Sequence, residues 1–379
     1  MSKKRIAIIC SILIIIILLI VTIVIAKKQN NNIPKDTTAP IIVLDDSYTV
    51  KTGYKKDLLE TIVSADDIDR NPKREIIGDY DVNTPGEYNL TYKIEDASGN
   101  VTTKDFVLKV KDSFNYTEKD ISFKDAVTKY KNDSTKLGID VSKWQEDIDW
   151  KKVADEGVEF AILRMGYQNG FDGEIAIDPY FKANVKGCVE NNIPIAVYFS
   201  SYAKTVDESK SQADWICNKL KEYNYSNINV SFDWENWNSF NKLELSLNDI
   251  NNMADTFMDE CVNQGYKAML YGSKTYLEAI WKNEKNYPVW LANYVDSTSY
   301  SGQYKIWQFS QTGTISGIKG KVDIDVMMWY PFGRGINISM SISDVEKKYN
   351  ELKSKNFDFF LNLEVHSYKA EVEVYNDKE

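Results

Sequence analysis

Histidine is almost absent from this chain of 379 residues, in which His366 is the single copy. One histidine rules out a histidine-rich metal site. His366 also lies in a glutamate-rich stretch without a nucleophile motif, which disfavours a Ser/His/Asp or Cys/His catalytic centre. Carboxylates are therefore the side chains left to carry any catalysis.

Cysteine is also scarce, with four scattered copies and no CxxC pair: Cys10, Cys188, Cys217 and Cys261. Their spacing excludes a disulfide framework and a cysteine zinc site. The last three fall in helical patterns, so we expect them to be small buried groups with free thiols. The sequence predicts neither a metal ion nor a cofactor.

Basic residues are fewer than acidic ones, with 46 Lys and Arg against 56 Asp and Glu, which gives a net charge of −10. Such a balance excludes nucleic acid as a partner, because phosphate binding needs the opposite sign. Hydrophobic residues make up 43% and aromatic residues 13% of the chain. These values are typical of a folded protein, and the length leaves room for two or three domains.

One long apolar run is present, at residues 6–26, and Lys3, Lys4 and Arg5 precede it. A helix of this length spans about 30 Å of hydrocarbon, which favours an uncleaved membrane anchor. A cleaved signal peptide is the alternative, although residues 24–26 match a cleavage site poorly. We expect a single-pass cell-membrane protein of a Gram-positive bacterium, with its C-terminal domains outside the cell.

A small β-sandwich is predicted after a polar linker. Tyr88, Leu90, Tyr92 and Ile94 alternate with polar residues, which is typical of a half-buried strand, and residues 97–100 form a turn signal. The segments 84–88 and 92–100 resemble the bacterial immunoglobulin-like repeats of surface proteins. The resemblance implies a spacer or wall-facing module without chemistry of its own.

Beyond residue 137, short apolar runs alternate with amphipathic helical patterns over about 190 residues. This alternation predicts a mostly parallel α/β sheet, open or closed into a barrel. The boundaries that we predict are 1–28 for the cytoplasmic stub and anchor, 29–38 for the linker, 39–112 for the immunoglobulin-like sandwich, 113–136 for a connector with a short helix near 123–130, 137–330 for the barrel, and 331–379 for an accessory segment of unknown role.

Acidic residues follow the apolar runs of the predicted barrel. Asp140 ends the first run, Asp233 and Glu235 end the fourth, and Asp323 and Asp325 lie in the last. Asp233 and Glu235 leave the same face of an extended chain about 6.5 Å apart, which suits glycoside hydrolysis by paired carboxylates. Closure of a barrel would also bring Asp140 beside Asp323, and the crowded acids should raise at least one pKa.

Each acid taken alone is more typical of a helix cap or a solvated strand end than of a catalytic group. Asp178 is an example of such a structural acid, because Asp178-Pro179 is typical of the start of a helix. We assign it no chemistry. Aromatic residues near the strand ends, Tyr198, Trp290, Tyr294 and Trp307 among them, are individually more typical of packing but together favour a sugar-stacking groove.

An ordered set of motifs resembles glycoside hydrolase family 25, the Chalaropsis-type lysozymes or N-acetylmuramidases. The motifs are Gly138-Ile139-Asp140-Val141-Ser142-Lys143-Trp144-Gln145, Phe160-Ala161-Ile162-Leu163-Arg164-Met165-Gly166-Tyr167, Phe232-Asp233-Trp234-Glu235, Trp290-Leu291-Ala292-Asn293-Tyr294 and Gly317-Ile318-Lys319-Gly320-Lys321-Val322-Asp323. The resemblance implies an irregular TIM-like (β/α) barrel that cleaves the β-1,4 bond between N-acetylmuramic acid and N-acetylglucosamine of peptidoglycan glycan strands, without a metal.

The resemblance also implies roles for single residues. Glu235 matches the general acid/base, and Asp233 matches the acid that assists the transition state or orients the acetamido group of the substrate. Asp140 and Asp323 match flanking acids of the pocket. The implied substrate-binding residues are Tyr198, Trp290, Tyr294, Trp307 and Asp325, although many members of the family carry Asn in place of Asp325.

Three functions compete at this point. The first is a membrane-anchored peptidoglycan hydrolase, held outward by the immunoglobulin-like module. The second is a non-catalytic wall-binding or scaffold protein of a surface apparatus, which loss of Asp233 or Glu235 would favour; both are present. The third is a secreted lysin, which predicts a cleaved signal and a basic wall-binding repeat that the sequence lacks.

Overall fold

The computed structural model describes residues 36–113 and 120–328 of the chain. The predicted anchor at 1–28 and the accessory segment at 331–379 lie outside these residues. Within the described ranges, no helix combines the length and the apolar character that crossing a membrane requires.

The N-terminal module is built mainly of strands. Its elements are β1 (Ile41–Ile42), β2 (Ser47–Lys51), α1 (Leu58–Thr61), β3 (Ser64–Ala65), β4 (Lys73–Ile77), β5 (Gly86–Glu95) and β6 (Val101–Lys111). One sheet has the order β2-β6-β5-β4, and β1 pairs with β3 in a second, two-stranded sheet. Leu90, Tyr92 and Ile94 of β5 are buried, as their alternation predicts.

The second unit contains most of the chain. Its elements are β7 (Ile121–Ser122), α2 (Phe123–Tyr130), β8 (Thr135–Val141), α3 (Trp150–Asp155), β9 (Phe160–Gln168), β10 (Ile175–Ile177), α4 (Phe181–Glu190), β11 (Ile195–Ser200), α5 (Val206–Glu222), β12 (Asn229–Asp233), α6 (Leu247–Asn263), β13 (Lys267–Ser273), α7 (Lys274–Ala279), β14 (Val289–Ala292), β15 (Ile306–Thr314) and β16 (Val322–Met328). Short 3₁₀ helices occupy Lys143–Gln145 and Trp237–Leu243.

Eight of these strands close into a barrel in the order β8-β9-β11-β12-β13-β14-β15-β16, and β16 returns to β8. All neighbours are parallel except β16, which runs antiparallel to both β15 and β8. The predicted α/β barrel is therefore present, with one reversed strand at its seam. That reversal places the start of β16 at the rim where the other strands end.

Side chains alternate between the inside of the barrel and the helix-covered outside. On β9, Phe160 and Ile162 belong to the inner cluster, whereas Ala161 and Leu163 pack against the helices. Gly138 of β8 faces inward, and a Cβ there would lie 2.5 Å from the Phe160 ring. Glycine is thus required for Phe160 to fill the barrel interior.

The connector predicted at 113–136 is not an independent linker in its second half. The predicted short helix is present as α2, and its Phe123 and Ala126 are fully buried in the core outside the barrel. β7 pairs with β15 as well. The barrel unit therefore begins near residue 121 rather than 137, because apolar residues at helical spacing give α2 a face to bury.

The N-terminal module is docked onto the barrel unit. The Asn241 side chain donates hydrogen bonds to the carbonyl oxygens of Leu59 at 2.7 Å and Ile62 at 2.8 Å, and accepts one from the Ser64 amide at 3.1 Å. Val63 and Ala65 join the large core of the barrel unit. These contacts join the module to the barrel unit.

The three cysteines among the described residues bear out the sequence prediction. Cys188, Cys217 and Cys261 are free and buried. Burial raises the pKa of Cys188 and Cys261, so neither is a reactive thiolate.

Candidate active site

Two of the predicted acids face each other across the seam of the barrel. Asp323 lies directly opposite Asp140 on the antiparallel strands β16 and β8. This pairing follows from barrel closure, which brings the first and last strands together. Because β16 is reversed, the beginning of the last strand meets the end of the first.

The other two acids lie at the end of β12. Asp233 is the last residue of the strand and is 6% exposed, whereas Glu235 follows it and opens to solvent. Trp234 between them points outward, where its indole nitrogen donates to the Ala203 carbonyl at 3.0 Å. Asp233 and Glu235 therefore share the inner side, as the alternation of an extended chain predicts.

A cleft of about 460 Å³ joins all four acids. Asp140, Asp233, Glu235 and Asp323 line it together with Arg164. Residues from four strands and the segment after β12 thus meet at one end of the barrel, the end where parallel barrels carry their active sites.

Asp325 lies one layer deeper than the four acids. It is opposite Gly138 in the strand register and is fully buried, so it does not reach the cleft. Its Oδ1 accepts a hydrogen bond from the Trp290 indole at 2.8 Å. The predicted substrate-binding role of Asp325 is corrected accordingly, since it supports the floor of the cleft beneath Asp140.

Gln308 links this floor to the acids. Its amide nitrogen donates to Asp140 Oδ2 at 2.7 Å, and its amide oxygen accepts from the hydroxyls of Tyr271 and Tyr294, each at 3.0 Å. In this orientation the amide nitrogen meets a carboxylate and the amide oxygen meets two hydroxyl donors, so both ends of the amide are paired. The sequence patterns did not identify Gln308 as a site residue.

Burial away from water raises the pKa values of the acids at the cleft. Burial raises the pKa of Asp140 and Asp233 well above the usual range, and Asp140 is raised further by the charge of Asp325. The charge of Glu235 raises the pKa of Asp233, while Arg164 opposes that rise. Burial also raises the pKa of Asp325, to about 8.

Glu235 has a raised pKa for a reason that differs from the predicted one. Its side chain opens to the cleft, yet the protein around the carboxylate displaces enough water to raise its pKa, and a hydrogen bond from Tyr271 partly offsets the rise. The charges of Asp233 and the other acids are not its main cause. The direction agrees with the sequence expectation, and it favours a protonated Glu235.

Arg164 and Asp178 form an ion pair that the sequence interpretation missed. The Asp178 side chain has no exposed surface, and its Oδ2 lies 2.7 Å from Arg164 Nη2 and accepts from the Lys143 amide at 2.9 Å. Its Oδ1 accepts from the Tyr180 amide at 3.0 Å. Asp178 is therefore more than a helix cap, because it holds both Arg164 and the loop after Asp140 at the cleft.

The predicted aromatic groove is only partly present. Tyr198 lines the cleft, but Trp290 is 1% exposed beneath it and Tyr294 is directed to Gln308. Trp307 lies on the outer side of β15, with its ring against Tyr130. The prediction of Trp307 as a sugar contact is corrected, because it and inward-facing Gln308 occupy successive positions of a strand.

Aromatic residues other than the predicted ones lie at the mouth of the cleft. Trp144, Tyr167 and Tyr202 line the cleft, and Trp144 is 75% exposed. Lys143 Nζ lies 5.0 Å from the Trp144 ring and 4.9 Å from the Tyr167 ring. The position of Trp144 in the loop directly after Asp140 was the signal available in the sequence.

Comparison with protein-family models matches residues 139–318 to Glycosyl hydrolases family 25. The matched range includes Asp140, Asp233 and Glu235 and ends before Asp323. The sequence resemblance and the family comparison therefore agree for the barrel.

Similar proteins include the "Uncharacterized protein YegX" of Escherichia coli O6:H1, 27% identical over 198 residues, which are 50% of this chain and 68% of that protein. The "Autolytic lysozyme" of Clostridium acetobutylicum is 25% identical over 190 residues, or 50% of this chain and 54% of the relative. Among solved structures, the modular autolysin LytC of Streptococcus pneumoniae in complex with a synthetic peptidoglycan ligand is 24% identical, with a TM-score of 0.44, and covers 62% of this chain.

The chain spans little more than half the length of two of these relatives, 54% of the autolytic lysozyme and 56% of LytC. The family match and the lysozyme relative support a glycoside hydrolase enzyme with lysozyme activity, as the motif set predicts.

Proposed function

We propose that the chain is a membrane-anchored peptidoglycan hydrolase that cleaves the β-1,4 bond between N-acetylmuramic acid and N-acetylglucosamine. The observation that carries this proposal is the meeting of Asp140, Asp233, Glu235 and Asp323 at one cleft of the barrel. Paired carboxylates supply both functions that glycoside hydrolysis needs, a proton for the leaving oxygen and a negative charge for the developing cation.

Glu235 is the general acid in this proposal. It is the most exposed of the four acids, and its raised pKa favours the protonated form before the reaction. The Tyr271 hydroxyl, whose single proton is donated to Gln308 in the structure, turns to the Glu235 carboxylate once that group has lost its proton. Proton transfer to the glycosidic oxygen and its later return are therefore assigned to Glu235.

Asp233 assists the positive charge of the transition state or orients the acetamido group of the substrate. The Arg164 charge and a Ser200 hydrogen bond lower its pKa against the burial that raises it. A cationic sugar ring would favour the ionised form further. Asp140 and Asp323 flank the same pocket, and Gln308 fixes the Asp140 carboxylate.

Peptidoglycan glycan strands are the proposed partner of the cleft. Sugar rings present apolar faces that stack on aromatic side chains, and Trp144 offers such a face at the mouth. Tyr198 lies deeper, beside the acids. These two residues are the proposed stacking contacts, whereas Trp290 and Tyr294 support the wall behind them.

The anchor and the N-terminal module set where the enzyme acts. We propose that residues 6–26 hold the chain in the cell membrane with residues after 28 outside, and that the β-rich module is an immunoglobulin-like spacer. Protease added to intact, wall-stripped cells should then degrade the chain beyond residue 28. A mature form that starts near residue 27 in the medium would contradict the anchor.

The activity is tested by digestion of purified peptidoglycan with the full-length chain. We expect new reducing ends that belong to muramic acid. Glu235→Gln keeps the shape and hydrogen bonding of the side chain but cannot transfer the proton, so the rate should fall by about 10²-fold or more. Asp233→Asn should be comparably damaging.

Asp133→Asn, at an exposed carboxylate, is the matched control and should keep the wild-type rate. Thermal melting confirms that each variant is folded. Reducing glucosamine ends would contradict the bond assignment, and an undiminished rate of folded Glu235→Gln would contradict its role. Binding without any cleavage by the wild type would favour the wall-binding alternative.

A further inference from the structure

Three carboxylates meet at the junction of the N-terminal module and the barrel unit, far from the cleft in sequence. Asp36, Asp66 and Asp67 place one carboxylate oxygen each within 4.8 Å of the others. No lysine or arginine among the described residues forms an ion pair with any of them. Three like charges at this spacing repel one another, and a bound cation would compensate that repulsion.

Asp66 provides the second observation. Its side chain is fully buried, and Oδ1 accepts from the amides of Ile68 at 3.0 Å and Asp69 at 2.7 Å. Its Oδ2 is buried without a hydrogen-bond partner, and so is Oδ1 of Asp67. A buried carboxylate oxygen with no donor is costly, and a bound cation removes that cost.

We propose that Asp36, Asp66 and Asp67 form a divalent-cation site, and that Ca²⁺ is the ion it takes. Calcium binds carboxylate and carbonyl oxygens in irregular geometry with six to eight ligands. Magnesium sites usually use only one or two carboxylates and demand a near-ideal octahedron. Three carboxylates, two of them with an unused buried oxygen, match the calcium preference.

The site would order the contact between the two units. The Asp66 carbonyl accepts from the Leu247 amide at 2.8 Å, and the Asp67 carbonyl accepts from the Asn248 amide at 3.1 Å. Leu247 and Asn248 begin α6, whose helix follows β12 and its acids. An ion bound to the side chains of Asp66 and Asp67 would therefore order the two residues whose carbonyl groups bond to the barrel unit.

The experiment uses the full-length chain, stripped with EDTA and melted with and without CaCl₂ at about 2 mM. Extracellular modules bind calcium with dissociation constants of about 10⁻⁴–10⁻³ M, so this concentration should populate the site. We expect the melting temperature to rise by about 3 °C or more. Calorimetric titration should count one calcium per chain, and the same concentration of MgCl₂ should give a smaller rise.

Asp66→Asn and Asp67→Asn should abolish the calcium response. Asn at position 66 keeps an oxygen for the Ile68 and Asp69 amides, so in EDTA this variant should melt at or above the wild-type temperature. A purely structural Asp66 would instead give a lower melting temperature in EDTA. Asp45→Asn, at an exposed carboxylate of the same module, should keep the full response.

Two results would overturn the site. One is a melting temperature that calcium leaves unchanged in the wild type. The other is a rise that persists in Asp66→Asn, which would mean diffuse binding to an acidic surface. Neither result touches the proposed hydrolase activity, because the acids of the cleft are not involved.

Discussion

Arg164 and Asp178 are held together beneath the cleft, with Nε at 2.8 Å and Nη2 at 2.7 Å from the same carboxylate oxygen. The pair connects two features that the sequence presents separately, a strand of the barrel and the start of a helix. Burial raises the pKa of Asp233, and the positive charge that the pair holds in place partly offsets that rise. The pair is therefore part of the machinery that sets the charge of the acids.

Asp178→Asn should lower both stability and activity. Removal of one partner leaves the Arg164 charge poorly compensated, which costs about 3–5 kcal/mol for buried pairs. We expect a lower melting temperature and at least a tenfold slower peptidoglycan digestion. Asp155→Asn, which breaks an exposed pair with Lys151, is the matched control and should cost less than about 1 kcal/mol. If Asp178→Asn changed neither the melting temperature nor the digestion rate, Asp178 would act only as a helix cap.

Trp144→Ala should weaken substrate binding more than the chemical step. The ring is exposed at the cleft mouth and contacts no reacting acid, so its loss removes stacking of about 0.5–1.5 kcal/mol. We expect KM for soluble glycan fragments to rise about three- to tenfold, with kcat nearly unchanged. Trp144→Phe should recover part of the affinity. A fall in kcat alone would place Trp144 outside the proposed groove.

Asp325→Asn should change how stability depends on pH. The folded pKa of about 8 lies above the unfolded value, so the neutral form is favoured in the fold and wild-type stability falls as pH rises from about 4 to 8. The variant lacks this titration and keeps an oxygen for Trp290. Its melting temperature relative to wild type should therefore rise by about 3 °C or more between pH 5 and pH 9.

The control for this measurement is Asp133→Asn, at an exposed surface position, and the change for Asp325→Asn is taken relative to it. A melting-temperature difference for Asp325→Asn that does not change with pH would show that Asp325 is ionised throughout and that another group carries its proton.

Asn241→Ala should loosen the module from the barrel. Three hydrogen bonds of the buried side chain are lost, and the Ser64 amide and two carbonyls are left without that partner. Hydrogen exchange of the Ser64 amide should become at least tenfold faster, while hydrolysis of soluble fragments stays at the wild-type rate. Asn238→Ala, at an exposed position of the same 3₁₀ helix, should leave the exchange unchanged.

Local patterns of the sequence predicted the barrel strands well. The alternation of apolar runs and helical patterns predicted the parallel strands beyond residue 137, and the two-residue period of a strand placed Asp233 and Glu235 on one side. Closure of the barrel was enough to bring Asp140 opposite Asp323. These inferences succeeded because they depend only on strand period and on the adjacency of the first and last strands.

Contacts between segments distant in sequence were not predictable in the same way. Gln308 and Asp140 lie 168 residues apart in the sequence. No local sequence pattern around Gln308 indicates that its side chain binds Asp140. The outward position of Trp307 depends on the register of β15, which the apolar run alone does not fix. The docking of Ser64 by Asn241 likewise requires the fold of both units.

The reversed strand β16 also governs when the acids can first assemble. Asp323 and Asp325 lie on this last strand of the barrel, and both join Asp140 only after β16 inserts between β15 and β8. Such long-range pairing is slow compared with local folding. A chain that has not yet gained the residues beyond 321 lacks this strand, and with it Asp323 and Asp325. The acids that line the cleft are therefore together only after β16 has been made and has paired with β8.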